Sequence, residues 1–331
     1  MRLNLLRGLG LAICLWLTAC AGAGQAQPSL ELRYGAAATA LESGQYQLAA
    51  DRYRELWHGD EGSAQSVAGW ARALMGLEHA DRALSLLVNA RKRSEDPTLA
   101  ALMGVALVQT GRPAVARESF AAALAGDPEQ PLALAGLGRC LANSMQPDGA
   151  APLLLRASRA VGGDTDLLRE ASTAARAAKL EGVELAALAD LAQEGHAQPA
   201  ELLRAAELLL ADGHADPALG ARAEGWLTRA VDLDPQAADA WDGLGRLRAA
   251  RGDHEAATAA FKRAVEVDPA AHGPLLQLAL LAQTAGRDAR ALELIDHALG
   301  FLRKPELRSP FEELRTELLR EEDPEETLSR R

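Results

Sequence analysis

Residues 241–269 read Trp241-Asp-Gly-Leu244-Gly245-Arg-Leu-Arg-Ala-Ala-Arg-Gly252-Asp253-His-Glu-Ala-Ala257-Thr-Ala-Ala-Phe261-Lys-Arg-Ala264-Val-Glu-Val-Asp268-Pro269. Gly252 stands where a first helix must end and the chain reverse, since glycine takes the left-handed closing position without a Cβ clash. Asp268-Pro269 halts a second helix, because proline disfavours helical geometry in the residue before it. Between these stops lie two short Ala- and Leu-rich helices. Gly245 and Ala257 are small enough for close approach, and Trp241, Leu244 and Phe261 are large enough to fill the gaps. One such hairpin cannot bury its apolar stripe alone, so neighbours must stack on it.

The frame recurs. Upstream it picks out Gly104, Leu107, Gly111, Ala116, Phe120, Ala123 and Asp127-Pro128, and downstream Leu275, Leu278, Ala279, Gly286, Ala291, Ile295 and Ala298. The alanine at the helix crossing falls at Ala49, Ala83, Ala116, Ala150, Ala223, Ala257 and Ala291, with gaps of 34, 33, 34, 73, 34 and 34. The spacing resembles the tetratricopeptide repeat (TPR), a helix–turn–helix unit of about thirty-four residues. That resemblance implies an all-α right-handed superhelical solenoid, with first helices lining the inner wall. The long gap is two periods plus five residues. It predicts a degenerate fifth repeat whose second helix is Gly182 to Ala192, with an insertion near 182–217 centred on Gly213-His214-Ala215-Asp216-Pro217. Eight repeats then run over residues 30–303. Glycines 44, 111, 252 and 286 are expected at the intra-repeat turns, and the Asp-Pro pairs at 96–97, 127–128, 234–235 and 268–269 at the ends of second helices. Residues 304–320 are expected as a capping helix opened by the capping box Ser309-Pro310-Phe311-Glu312, with Leu307, Phe311, Leu314 and Leu318 as its apolar stripe. Residues 321–331 are charged and read as a disordered tail.

The amino terminus reads as an address. Arg2 and Arg7 precede an apolar run from Leu9 to Leu17, too short to span the ~30 Å hydrocarbon layer comfortably; residues 1–19 are expected to be a secretory signal. Leu17-Thr18-Ala19-Cys20 resembles the lipobox of bacterial lipoproteins, which implies acylation of Cys20. Residues 20–29 then form a flexible tether. Ala21 in place of an aspartate implies the outer membrane, lipid-anchored and facing the periplasm. The other reading is cleavage near Ala23 and a soluble product.

Composition agrees with a binding solenoid. Of 331 residues, 48% are apolar but only 4% aromatic, which disfavours sheets and suits closely packed helices. The net charge of −11 becomes −13 without Arg2 and Arg7, so nucleic acid is not an expected partner. Three cysteines exclude a disulfide framework, and Cys140 reads as a small buried apolar residue. Gly243-Leu-Gly245 and Gly136-Leu-Gly138 lack the strand and third glycine of a dinucleotide site. The seven histidines are dispersed. Arg246, Arg248 and Arg251 are balanced by Asp239, Asp242 and Asp253. No catalytic constellation, metal site or cofactor is expected, and the chain is read as no enzyme.

What remains is recognition. In TPR proteins the second, fifth, ninth, twelfth and thirteenth residues of each repeat build the inner wall. The resemblance implies a partner-binding groove that includes Tyr34, Arg72, Met75, Val105, Val108, Gln109, Arg139, Asn143, Asp239, Asp242, Arg246, Leu276, Leu280 and Gln283. It suits an extended peptide or a partner helix. None of the four lysines lands there, which disfavours a chaperone-carboxylate clamp. The layout resembles the pilotin and pilus-assembly TPR lipoproteins of type IV and Tad-type (Flp) pili. It implies a scaffold whose partner is a secretin or pilus-assembly component. Polysaccharide export and peptidoglycan enzymes are the alternative clients. An enzyme with accessory repeats needs a further domain of ~100 residues outside the array.

Overall fold

The computed structural model describes residues 29–59, 63–211 and 217–322. The expected signal segment, Cys20 and most of the tether lie outside them, as do residues 212–216 of the expected insertion and most of the expected tail. The described residues form seventeen α-helices and no strand. Among them no helix is long and apolar enough to cross a membrane.

The chain divides into two compact units, Met1–Pro128 and Glu129–Arg331. The first holds three helix pairs: α1 (Leu30–Glu42) with α2 (Tyr46–Gly59), α3 (Ala64–Gly76) with α4 (Ala80–Arg91), and α5 (Pro97–Gln109) with α6 (Pro113–Gly126). The second begins with α7 (Pro131–Asn143) and α8 (Pro147–Ala160), then α9 (Thr165–Ala177) and α10 (Glu181–Gln193). It continues with α11 (Pro199–Ala211) and α12 (Pro217–Leu233), then α13 (Ala238–Ala250) and α14 (His254–Val267). The last pair is α15 (His272–Thr284) with α16 (Asp288–Phe301), and α17 (Pro305–Glu322) follows. Each unit is an all-α, TPR-type stack of helix pairs.

Side-chain volume at the crossings sets the packing. Ala49, Ala83, Ala116, Ala150, Ala223, Ala257 and Ala291 are all fully buried. One turn on, Phe120 and Phe261 are buried against Gly104 and Gly245; a Cβ added at these glycines would lie 2.5 and 2.6 Å from the rings. Glycine here is a matter of space, since a methyl group has nowhere to go in a close-packed interior. In the fifth pair the same slot, fourth residue of the second helix, holds Glu184 instead of alanine, and it too is buried. In the sixth pair α12 begins six residues before Ala223, where the other second helices begin three before their slot. Part of the five-residue surplus is thus an extra helical turn.

Seven of the turns within pairs, those among the described residues, close the same way. The residue two past the first helix is left-handed: Gly44, Gly111, Gly252 and Gly286 at φ 73°, 75°, 82° and 65°, but also Glu78, Met145 and Lys179 at 61°, 57° and 57°. The amide of the next residue then bonds five residues back, as from Gln45 to Ala40 O (2.9 Å), Gln146 to Leu141 O (3.0 Å) and Arg287 to Ala282 O (2.9 Å). This is the Schellman closure, which satisfies carbonyls the helix end leaves open.

Three expectations are corrected. Asp96-Pro97 does not end a second helix, because α4 stops at Arg91. Asp96 is the N-cap of α5, its Oδ1 accepting from the Thr98 amide at 2.7 Å, with Pro97 at the first helical position, where no amide is needed. The capping helix does not start at Ser309: it starts at Pro305 and runs through Pro310. Proline there removes one early backbone bond, and burial of Phe311, Leu314 and Leu318 against Leu275, Ile295 and Ala298 outweighs that loss. Met75 is buried and belongs to the core, not to an exposed wall.

Two substitutions test this account by thermal melting. Gly245→Ala should destabilise by about 1–3 kcal/mol, because Phe261 must shift. Met145→Gly should stabilise by about 0.5–1 kcal/mol, since it removes left-handed strain from a side chain 87% exposed.

Candidate binding groove

The second unit carries a hollow on the face built by consecutive first helices. Arg139, Ala142 and Asn143 of α7 form one wall, and Arg169, Glu170, Thr173, Ala174 and Ala177 of α9 the other, with Met145, Pro147 and Leu154 completing it. Its volume is about 660 Å³. Its lining combines apolar side chains with the polar Arg139, Asn143, Arg169, Glu170 and Thr173. Arg139 clasps Glu170 with Nε–Oε2 at 2.8 Å and Nη2–Oε1 at 2.9 Å. Arg169 donates to Glu201 Oε1 at 3.0 Å and to the His196 carbonyl at 2.9 Å. Both arginines are therefore engaged, and such exposed pairs contribute little stability, about 0–1 kcal/mol each. What they do fix is where these side chains lie along the wall.

A second hollow of about 620 Å³ repeats the scheme between α11, α12 and α13. Leu203, Leu210, Leu227 and Leu247 line it, with Glu207, Arg246 and Arg251 as its charged groups. Arg246 pairs with Asp242 at 3.0 Å, Arg248 with Glu224 at 3.2 Å, and Arg251 with Glu224 as well. The balance expected for these arginines is present, but Glu224 supplies most of it. Asp253 instead caps α14, its Oδ1 accepting from the Ala256 amide at 3.0 Å.

Asp242 is the perturbed group of this face. Its Oδ1 is buried and meets no hydrogen-bond donor among the described residues. Burial pushes its carboxyl above the ordinary aspartate range; Arg246 opposes that, Asp239 adds to it, and His272 opposes it again.

The remaining expected wall residues divide by position. In the first unit Tyr34 is half-buried with its hydroxyl 2.6 Å from Ser63 Oγ, Arg72 and Gln109 are exposed, Val105 is half-buried and Val108 is 44% exposed. Arg72 lies close enough to lower the pKa of the Tyr53 phenol against the dominant effect of burial, which raises it. In the second unit Asp239 is exposed, and Leu276 and Leu280 are half-buried against the cluster that contains Phe311, Leu314 and Leu318. The apolar patch expected at Leu276 and Leu280 is therefore partly packed by the capping helix. Of the wall residues named from the sequence, Arg139 and Asn143 meet in the first hollow. Glu170, Thr173 and Ala177 were not singled out, although thirty-four residues from Arg139 and Asn143 leads to Thr173 and Ala177. Cys140, behind the wall, is buried.

The model of the tetratricopeptide repeat family matches residues 101–165 and 203–274. These stretches are tetratricopeptide repeats. The sequence matches no curated protein. Among solved structures, yeast Tom70 is similar at 12% identity and a TM-score of 0.43, over 86% of this chain and 61% of that one. A TPR protein from Parabacteroides merdae is similar at 13% identity and 0.39, over 76% and 98%. The APC/C hetero-tetramer Cut9–Hcn1 is similar at 13% and 0.39, over 83% of this chain but only 52% of that chain, so the present chain spans about half its length.

Asp242 gives the TPR face a pH signature. A carboxyl whose folded pKa lies above its unfolded value of about 3.9 is penalised while charged. The destabilising contribution of Asp242 should therefore diminish as pH falls from neutral toward that value. Asp242→Asn should melt higher than wild type at pH 7, and the gap should close toward pH 4; a gap independent of pH would contradict the assignment.

Proposed function

We propose that this TPR chain is a non-catalytic scaffold that holds a segment of a partner protein along the faces of its first helices. The observation that carries the reading is the 660 Å³ hollow between α7 and α9, lined by apolar side chains together with Arg139, Asn143, Arg169, Glu170 and Thr173. That is the combination an extended peptide or amphipathic helix needs, with apolar anchors for affinity and fixed polar groups for register. Among the described residues no three His, Cys, Asp or Glu side chains converge as a metal site would require.

The finer reading adds an address. Leu17-Thr18-Ala19-Cys20 supports acylation at Cys20, anchorage to the outer membrane and presentation of the repeats to the periplasm. In that setting the partner is a component of an envelope machine, a secretin or pilus-assembly protein. Arg72, Val105, Val108 and Gln109 in the first unit, and Asp239 and Arg246 in the second, are the further wall residues proposed to meet it.

Two experiments test the two parts separately. Thr173→Arg places a long cation in the hollow without touching a helix crossing; it should leave the circular dichroism unchanged and lower recovery of co-purified partner at least about tenfold. Unchanged recovery would remove the hollow from the binding surface. Cys20→Ser should move the chain from the membrane fraction to the soluble fraction, and retention in the membrane would refute the anchor.

A further inference from the structure

The fifth pair breaks the rule that the other pairs keep. Glu184 sits in the crossing slot that alanine fills at Ala49, Ala83, Ala116, Ala150, Ala223, Ala257 and Ala291, and its side chain is only 2% exposed. A lone carboxylate buried there would be costly. It is not alone: Arg176 of α9 donates Nε to Oε1 at 2.8 Å, and Arg204 of α11 donates Nε to Oε1 and Nη2 to Oε2, both at 3.1 Å. Arg176 belongs to the same pair as Glu184, whereas Arg204 belongs to the next. Burial works to raise the Glu184 pKa, but the bonds from Arg204 and Arg176 outweigh it and lower the pKa, which keeps the group ionised. No such partners surround the equivalent Ala257, where the same offsets lead to Ala249 and Gln277.

Further arginines tie the same junction. Arg229 of α12 donates to the Ala192 and Gly195 carbonyls at 2.9 and 2.8 Å, across the end of α10. Arg169 of α9 reaches the His196 carbonyl and Glu201 beyond it. This is also where the thirty-four-residue period is interrupted, so the alanine and glycine register that sets spacing elsewhere is out of step between α10 and α12.

We propose that Glu184, gripped from both sides by Arg176 and Arg204, is an ionic latch that fixes the fifth helix pair against the sixth in place of the alanine crossing. The latch lies between the two hollows: α9 forms a wall of one, and α11, which carries Arg204, forms a wall of the other. It sets their separation whatever the groove holds.

Amide hydrogen exchange of the free full chain, read helix by helix, tests this. Glu184→Ala installs the residue of the seven other crossings, and Arg204→Met keeps the aliphatic stem while removing the charge. Each should speed exchange in α10 and α11 together by about tenfold, while α13 to α16 stay as in the wild type. Arg176→Met should affect α9 and α10 but not α11. Exchange in α11 that is unchanged by Glu184→Ala or by Arg204→Met, or that rises no more than in α13 to α16, overturns the latch. Because no partner is present in the measurement, failure to capture one in the groove experiment leaves this result untouched.

Discussion

The structure depends on how closely two helices can cross. A methyl group on the second helix, facing glycine or alanine on the first, lets the backbones approach until large side chains such as Phe120, Phe261 and Ile295 fill the flanking space. Each crossing is a small contact, and one hairpin buries too little to hold itself. Stacking supplies the rest, so stability is spread along each unit as a sum of near-neighbour terms. The hollows follow from the same geometry. Small residues at the crossings draw paired helices together, while ion pairs such as Arg139–Glu170 and Arg169–Glu201 bridge consecutive first helices.

Polar chemistry is layered on that frame. Arg139–Glu170, Arg159–Asp190 and Arg169–Glu201 link residues thirty-one or thirty-two apart, each joining a helix to its counterpart in the next pair. These bonds cluster around the irregular fifth pair. In the last two pairs Arg263–Glu266 and Arg290–Glu293 close within single helices, while Arg248–Glu224 and Arg315–Asp296 still bridge neighbouring ones.

Much of this was legible in the sequence. Glycines at the turns, alanines at the crossings and the apolar stripe of the last helix are read from residue type, because each position tolerates few others. Met145, Glu78 and Lys179 were not legible as left-handed residues, since nothing about them prefers that conformation; the register of the neighbouring helices imposes it. Glu184 was invisible for the opposite reason, because a carboxylate in an alanine slot is intelligible only once Arg204 is seen beside it. Asp96-Pro97 read equally well as a stop and a start. Proline restricts both the residue before it and the turn it opens, and only the end of α4 at Arg91 decides between them. The wall was legible where the frame was strong, at Arg139 and Asn143, and obscure on α9, where the markers fade.

A chain assembled from interchangeable hairpins can lengthen or shorten by whole units, because a crossing of alanine against glycine is the same in every copy. The carboxylate of Glu184 withdraws that freedom at one joint. Its two guanidinium partners lie in different hairpins, so deleting the sixth, or inserting another copy after the fifth, would leave an enclosed anion short of one counter-charge. The fifth and sixth hairpins are in this sense a single heritable piece.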